Sequence, residues 1–357
     1  MKNIRGRVGM KKELVTAGFV FLSLSLPLKA SAAGFSQFNV FGDSLSDTGN
    51  VFTVSGQNSP TGPIPPDPPY FQGRFSNNKI WVDYLGQGIG LTPTLFANLS
   101  TQTPTQGINF AFGGSLSGQD NAFVPGAPGV LKQVDTFLAN NQKVDPNALY
   151  AVWGGGNDYL FGQNPNPNQT VSNLSNAVGA LAQAGAKNIL VFNLPDLGKT
   201  PIALRTGNTS NLTTLTNAHN AALASALGQL NNNNPSVNLI PVDINSLFNR
   251  VIANPGEFGF KDVKTSCVIY DIINNQVLKT CNNPNDYLFF DEVHPTTNAH
   301  KLVAETVLAA IRAKSVPESS TVFGLLGLSA LGAAAMLKRR QKTVSPEFSS
   351  KSNFVTK

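Results

Sequence analysis

A serine closing an apolar, β-prone run is the first residue in this chain that could do chemistry. In "VFGDSLSDTGN", Val40 to Asn50, the run stops at Gly42, Asp43 and Ser44. A serine hydroxyl is a weak nucleophile until a base takes its proton, and that base is usually histidine. The chain has three histidines: His219, His294 and His300. His219 ("LTNAHNAAL") falls inside a helical pattern and reads as structural, and His300 also lies within a helix. His294 stands in "FFDEVHPTT", where a strand pattern gives way to a helix, and Asp291 precedes it by three residues. A carboxylate at that spacing can reach one ring nitrogen, fix the tautomer and stabilise the imidazolium. A lone Asp-x-x-His is also common in surface turns, so the pair needs company.

Acyl transfer also needs donors for the oxyanion, which backbone N–H groups and amide side chains can supply. The backbone N–H of Ser44, that of Gly114 and the side chain of Asn157 are candidates, with Gly113 an adjacent rival for Gly114. Each sits where a predicted strand ends. Each motif alone is common in ordinary turns; their joint presence, in order and at strand ends, carries the argument. No metal or cofactor is required for this chemistry.

The elements that would position these residues follow from the hydrophobic pattern. "FNVFGDS", "GINFAFGG", "ALYAVWGGGND", "KNILVFNLPDL" and "VNLIPVDI" read as strands. Between them, "NKIWVDYLGQGIG", "GVLKQVDTFLANN", "TVSNLSNAVGALAQAG", "NLTTLTNAHNAALASALGQLNN" and "INSLFNRVIANP" read as helices. The last helix, "TTNAHKLVAETVLAAIRAK", has Thr296 or Thr297 as its cap. Alternation of this kind predicts a parallel sheet with helices on both faces, and in such sheets functional residues gather beyond the carboxyl ends of the strands. The proline-rich segment Ser59 to Asn77, "SPTGPIPPDPPYFQGRFSN", cannot be regular helix or central strand. It is a loop, either a cleft wall or a plain connector.

With these residues in view, the chain resembles the GDSL esterase/lipase family, also called SGNH hydrolases. "FGDSLSDTGN", "INFAFGGS", "GGGNDYL" and "DEVHPT" match its four blocks in order, and the resemblance spans roughly Phe38 to Ile311. "PPYFQGRFSN" resembles a segment common in the subgroup with long, plant-like sequences. The resemblance implies a three-layer α/β/α sandwich, flavodoxin-like, with about five parallel strands. It implies a triad of Ser44, His294 and Asp291, and an oxyanion hole from Ser44, Gly114 and Asn157. It also implies an ester substrate: a lipid, a small ester or an acetylated glycan. Acyl transfer to another alcohol, or removal of acetyl groups from a polysaccharide, would use the same site. Asp43 and Asp158 are expected to be structural, bonding nearby backbone. The G-x-S-x-G elbow is absent around Ser44, and "GSLSG" has Leu116 at its centre, so the α/β-hydrolase elbow is excluded. A phosphate loop of flavodoxin type fits Asp47, Thr48 and Asn50 poorly. A surface-anchored binding module that kept the fold and lost activity is the reading from another class. The intact set of five site residues stands against it.

Both ends read as sorting segments around a hydrolase domain at 33–314. Residues 1–32 have a basic start, an apolar run "LVTAGFVFLSLSLPL" and small residues Ala30 and Ala32, the three parts of a secretory signal. An uncleaved anchor is the alternative. Residues 315–342 hold Pro317-Glu318, an apolar stretch and a basic cluster, resembling a PEP-CTERM tail, with a basic tail at 343–357. Ser319 replaces the usual second proline. The apolar stretch would span about 24 Å as a helix, short for a hydrocarbon core of about 30 Å. A plain membrane anchor is the alternative there. The implied partners are the export machinery and an exosortase, and the implied location is periplasmic, cell-surface or extracellular. The net charge of +6 is concentrated at these ends, leaving a mildly acidic body with no reason to bind nucleic acid. Cys267 and Cys281, the only cysteines, suggest one disulfide in an exported chain, with free thiols the alternative. The β-rich runs between them, around Asn274-Asn275, read as a hairpin.

Overall fold

The computed structural model describes residues 34–58, 62–140, 144–271 and 273–315. The expected signal segment 1–32, all but the first residue of the expected sorting segment 315–342, and the basic tail 343–357 lie outside them. Among the described residues, six strands form one all-parallel sheet. They are β1 (Phe38–Gly42), β2 (Thr94–Leu95), β3 (Ile108–Asn109), β4 (Leu149–Trp153), β5 (Asn188–Phe192) and β6 (Asn238–Val242). Their spatial order is β2-β3-β1-β4-β5-β6. The sequence predicts five of these. The sixth, β2, is a two-residue edge strand, too short to show any periodicity.

The strands are buried on both faces, as parallel sheets are. Alternate residues go to opposite cores. Phe38, Val40, Leu149, Ala151, Leu190, Phe192, Ile240 and Val242 pack on one face. There they meet α2 (Trp81–Ile89), α8 (Ile244–Ala253) and α9 (Thr297–Ser315). Phe41, Tyr150, Val152, Ile189, Val191 and Leu239 pack on the other face. Their partners are α3 (Val130–Ala139), α5 (Pro167–Gln183) and α7 (Thr209–Asn233). This is the three-layer α/β/α arrangement. Shorter helices complete it: α1 (Asn50–Asn58), α4 (Gly156–Leu160) and α6 (Pro201–Thr206).

After α8 the chain makes a parallel pair, β7 (Asp262–Ser266) with β10 (Tyr287–Phe289), and an antiparallel hairpin, β8 (Val268–Asp271) with β9 (Gln276–Thr280). Cys267 and Cys281 are bonded at the base of that hairpin. The cap expected of Thr296 or Thr297 is made by neither side chain, the Thr297 hydroxyl donating to the Lys79 carbonyl at 2.7 Å. The Thr296 hydroxyl donates to the Tyr287 carbonyl at 2.8 Å, and Asn77 Oδ1 accepts the N–H of Thr297 at 2.9 Å. A residue of the proline-rich loop thus caps the helix that follows His294.

The order of strands places the site. The chain runs from β1 out to the edge at β2, comes back to β3 beside β1, then crosses to the other side of β1 with β4. That reversal opens a crevice at the carboxyl ends of β3, β1 and β4. The end of β1 is clamped by Gln133 of α3, which is fully buried. Its Oε1 accepts the Gly42 N–H at 2.8 Å, and its Nε2 donates to the Gly42 carbonyl at 2.9 Å and to Ser115 Oγ at 3.0 Å. Gln133→Leu keeps the volume and leaves a buried N–H unpaired. Urea unfolding should show a loss of about 1–3 kcal/mol.

Candidate functional site

Ser44 sits in the turn that follows β1, 7% exposed. Its Oγ lies 2.8 Å from His294 Nε2, and His294 Nδ1 lies 2.7 Å from Asp291 Oδ2. Asp291 and His294 belong to the short loop between β10 and α9. The loop closes on itself through the Phe290 N–H, which donates to the His294 carbonyl at 2.7 Å. Asp291 Oδ1 accepts the N–H groups of Val293 (2.9 Å) and His294 (2.7 Å). Burial alone would raise the Asp291 pKa, but His294 and these N–H donors hold it below the usual carboxylate range. An ionised Asp291 accepts a hydrogen bond from Nδ1–H, which leaves Nε2 as the acceptor facing Ser44.

Gly114 follows β3 with φ of 81°, and a Cβ there would lie 2.7 Å from Asn121 Oδ1, so only glycine fits. Hydrogen bonding distinguishes Gly114 from Gly113. The Gly113 N–H donates to Asp47 Oδ2 at 2.9 Å, whereas the N–H of Gly114 has no protein partner among the described residues. Asn157 lies in the first turn of α4 and donates one N–H to the Ser115 carbonyl at 3.0 Å. Ser44, Gly114, Asn157 and His294 line one cleft of about 480 Å³. Its other walls are mostly apolar, including Val51, Ile64, Phe75, Phe123, Phe161 and Ile202. A second, smaller cavity of about 40 Å³ also reaches Ser44 and Asn157, between Leu45, Leu160, Leu194 and Phe248. All five residues singled out in the sequence therefore meet at one place.

Several supports were not legible in the sequence. Asp47 is fully buried and accepts four N–H groups: those of Gly49, Asn50 and Val51 at the start of α1, and that of Gly113. It ties the Ser44 turn to the Gly114 turn. Asp158 bonds the N–H and Oγ of Ser117, at 2.8 and 2.6 Å, so its partner is the glycine loop rather than nearby backbone. Asp43, in contrast, accepts the nearby Leu45 N–H at 3.0 Å. The proline-rich loop is a cleft wall. Its Phe75 ring packs 5.1 Å from the His294 ring, and its Tyr70 hydroxyl donates to Asp291 Oδ2 at 2.7 Å. Nothing in residue type or spacing pairs position 70 with position 291.

The other histidines are interior groups. His219 bonds the Tyr159 hydroxyl at 2.8 Å and packs on Gly155, bracing α4. Burial lowers its pKa to about 4. Burial, with the charge of His294, lowers that of His300 to about 3. Among the described residues, no group of His, Cys, Asp and Glu is placed to hold a metal ion.

The profile of the family described as GDSL-like Lipase/Acylhydrolase matches residues 39–307, three quarters of the chain. This chain belongs to that family. Among family relatives, Esterase EstA from Pseudomonas aeruginosa is 30% identical over 348 residues, covering 86% of this chain and 51% of its own. A phosphatidylcholine-sterol acyltransferase from Aeromonas hydrophila is 30% identical over 253 residues, covering 69% of each chain. The chain spans about half the length of the Pseudomonas relatives it matches. Among solved structures, LAE5, an alpha/beta hydrolase enzyme from the metagenome of Lake Arreo, Spain, aligns with a TM-score of 0.44. Its identity is 13%, over 79% of this chain and 97% of that one.

The carboxyl next to the GDSL serine gives a pH test. Burial raises the Asp43 pKa from 3.8 to about 6, opposed by the Leu45 N–H and by His294. A carboxyl whose pKa is raised on folding favours the native state below about pH 4 and loses that contribution as pH rises through about 6. Asp43→Asn is neutral throughout. Its stability relative to the unsubstituted protein should therefore improve by about 2–3 kcal/mol between pH 4 and pH 7.5 in urea unfolding.

Proposed function

We propose that this protein is a serine carboxylic-ester hydrolase working through Ser44, His294 and Asp291. The observation that carries the reading is the unbroken chain from Ser44 Oγ through both nitrogens of His294 to Asp291, opening on a cleft with three N–H donors. His294 Nε2 takes the Ser44 proton while Oγ attacks the ester carbonyl carbon. The backbone N–H groups of Ser44 and Gly114 and the Asn157 amide hold the developing oxyanion. The tetrahedral intermediate collapses, and the imidazolium returns its proton to the departing alcohol. An acyl-enzyme remains on Ser44. Water, deprotonated by His294, attacks it and releases the acid. Asp291 keeps the ring oriented and stabilises the imidazolium without taking the proton. The apolar walls of the larger cleft suit an aliphatic acyl chain.

The family membership and the relative named as an esterase support this reading. The relative named as an acyltransferase supports a second: an alcohol in place of water at the deacylation step would make the same site an acyl transferase. An acetylated glycan would serve as substrate if the cleft takes a short acyl group. The exported location rests on the leader at 1–32 and on the cysteine pair. The exosortase partner rests on the sequence pattern of the tail. Among the described residues, no helix is long and apolar enough to cross a membrane.

Hydrolysis of p-nitrophenyl acetate, butyrate and palmitate by the purified protein tests the activity. Ser44→Ala should lower kcat by roughly 10⁴-fold or more. Asn157→Ala should lower it by about 10²–10³-fold, the cost of one oxyanion donor. A Ser44→Ala protein as active as the unsubstituted one would overturn the reading.

A further inference from the structure

The Asp291 carboxylate has a donor that the mechanism above does not use. The Tyr70 hydroxyl lies 2.7 Å from Asp291 Oδ2, the same oxygen that accepts His294 Nδ1–H at 2.7 Å. Tyr70 is 1% exposed, so no bulk water competes for the bond. Its ring is held edge-on by Phe290, Tyr270 and Phe75, at centroid distances of 5.0, 5.3 and 6.4 Å. Phe290 adjoins Asp291 in the chain, Tyr270 belongs to the disulfide-closed hairpin, and Phe75 covers His294. The ring that delivers the hydroxyl is therefore fixed by the elements that form the cleft. A buried tyrosine hydroxyl usually finds a backbone carbonyl or water. This one is spent on the carboxylate that orients the histidine.

We propose that Tyr70 is a positioning residue that sets the basicity of His294 through Asp291. The inference rests on the ester-hydrolase reading for its consequence in catalysis, though not for its geometry. A hydroxyl donating to Oδ2 spreads the carboxylate charge and holds that oxygen in place against His294 Nδ1. With the donor gone, more charge faces His294, the imidazolium is better stabilised and the ring becomes a stronger base in the resting state. Burial pushes the Tyr70 phenol well above its ordinary pKa, so it stays a neutral donor across the working range. Other titratable groups around the pair have their own bonds. Asp43 accepts the Leu45 N–H, the Tyr270 hydroxyl donates to Asn275, and Glu292 is paired with Arg205. His300 also lies near His294, and burial lowers its pKa. None of these is a hydrogen-bond partner of Asp291.

The test compares Tyr70→Phe with the unsubstituted full chain. Phenylalanine keeps the ring contacts and removes only the hydroxyl. Two readouts are taken: the acidic limb of kcat/KM for p-nitrophenyl butyrate, and the His294 pKa by NMR titration, its resonance assigned by loss in His294→Gln. Both should move to higher pH by about 0.5–1 unit, the equivalent of one ordinary hydrogen bond, and kcat should fall several-fold. An unmoved or lowered His294 pKa overturns the proposal whatever happens to the rate, because a packing defect alone would slow turnover without shifting the titration. If Tyr70→Phe does not fold, 3-fluorotyrosine at position 70 keeps the bond and strengthens the donor. The His294 pKa should then fall, and an unchanged value overturns the proposal. A raised pKa in a protein that hydrolyses no ester would uphold the Tyr70 link and sink the hydrolase reading. An active enzyme with a static pKa would do the reverse.

Discussion

A buried carboxylate must be satisfied on both oxygens, and at Asp291 this requirement organises the site. An ionised group in the interior is tolerated only when hydrogen bonds replace its water. Asp291 takes two N–H groups from its own loop, one ring N–H from His294 and one hydroxyl from Tyr70. Those four bonds fold the loop after β10 into a tight hook, orient the imidazole towards Ser44 and draw the proline-rich loop over the cleft. One electrostatic need thus joins segments more than two hundred residues apart.

The opposite half of the site is built from buried polar side chains that stand in for sheet and helix hydrogen bonds. Asp47 holds the start of α1 and the Gly113 N–H together. Asn50 donates to the carbonyls of Asn109 and Ala111 and accepts the Ala97 N–H, while Asn109 donates to the Ser46 carbonyl and Thr48 Oγ1. Gln133 clamps Gly42 from the helix beneath. Because each amide or carboxylate meets several backbone groups at once, the turns after β1 and β3 are locked to one another. The backbone N–H groups of Ser44 and Gly114 are therefore held in place relative to one another.

The cleft walls come from the segments outside the sheet. Ile64 and Phe75 arrive from the proline-rich loop, Phe123 and Val124 from the loop after Gly114, and Tyr270 and Ile273 from the cysteine hairpin. Cys267, Tyr70, Val268 and Phe290 share one apolar cluster, so the hairpin supports the Tyr70 contact as well as the wall. The turns and loops at the strand ends carry Ser44, Gly114, Asn157, Asp291 and His294, and the segments outside the sheet shape the cleft around them. Loops of this kind can vary in shape while the scaffold beneath them stays the same.

The sequence by itself determined the layers and singled out the residues that meet at the candidate site. Strand and helix periods are local, so five of the six strands and the longer helices are readable from them. Ser44, Gly114, Asn157, Asp291 and His294 are readable because each lies within a short block at a strand end, where backbone and side chain act together. The tertiary structure alone decided the rest. The edge strand β2 is too short to carry a period. The choice of Gly114 over Gly113 depended on which N–H the distant Asp47 consumes. Asp158 reached the Ser117 loop instead of its own turn. Tyr70 looks like any aromatic residue in a proline-rich loop until folding sets its hydroxyl 2.7 Å from Asp291. For the last three the physical reason is common. A side-chain hydrogen bond between remote segments leaves no periodic trace in either one, and it exists only once the sheet has brought its strand ends together.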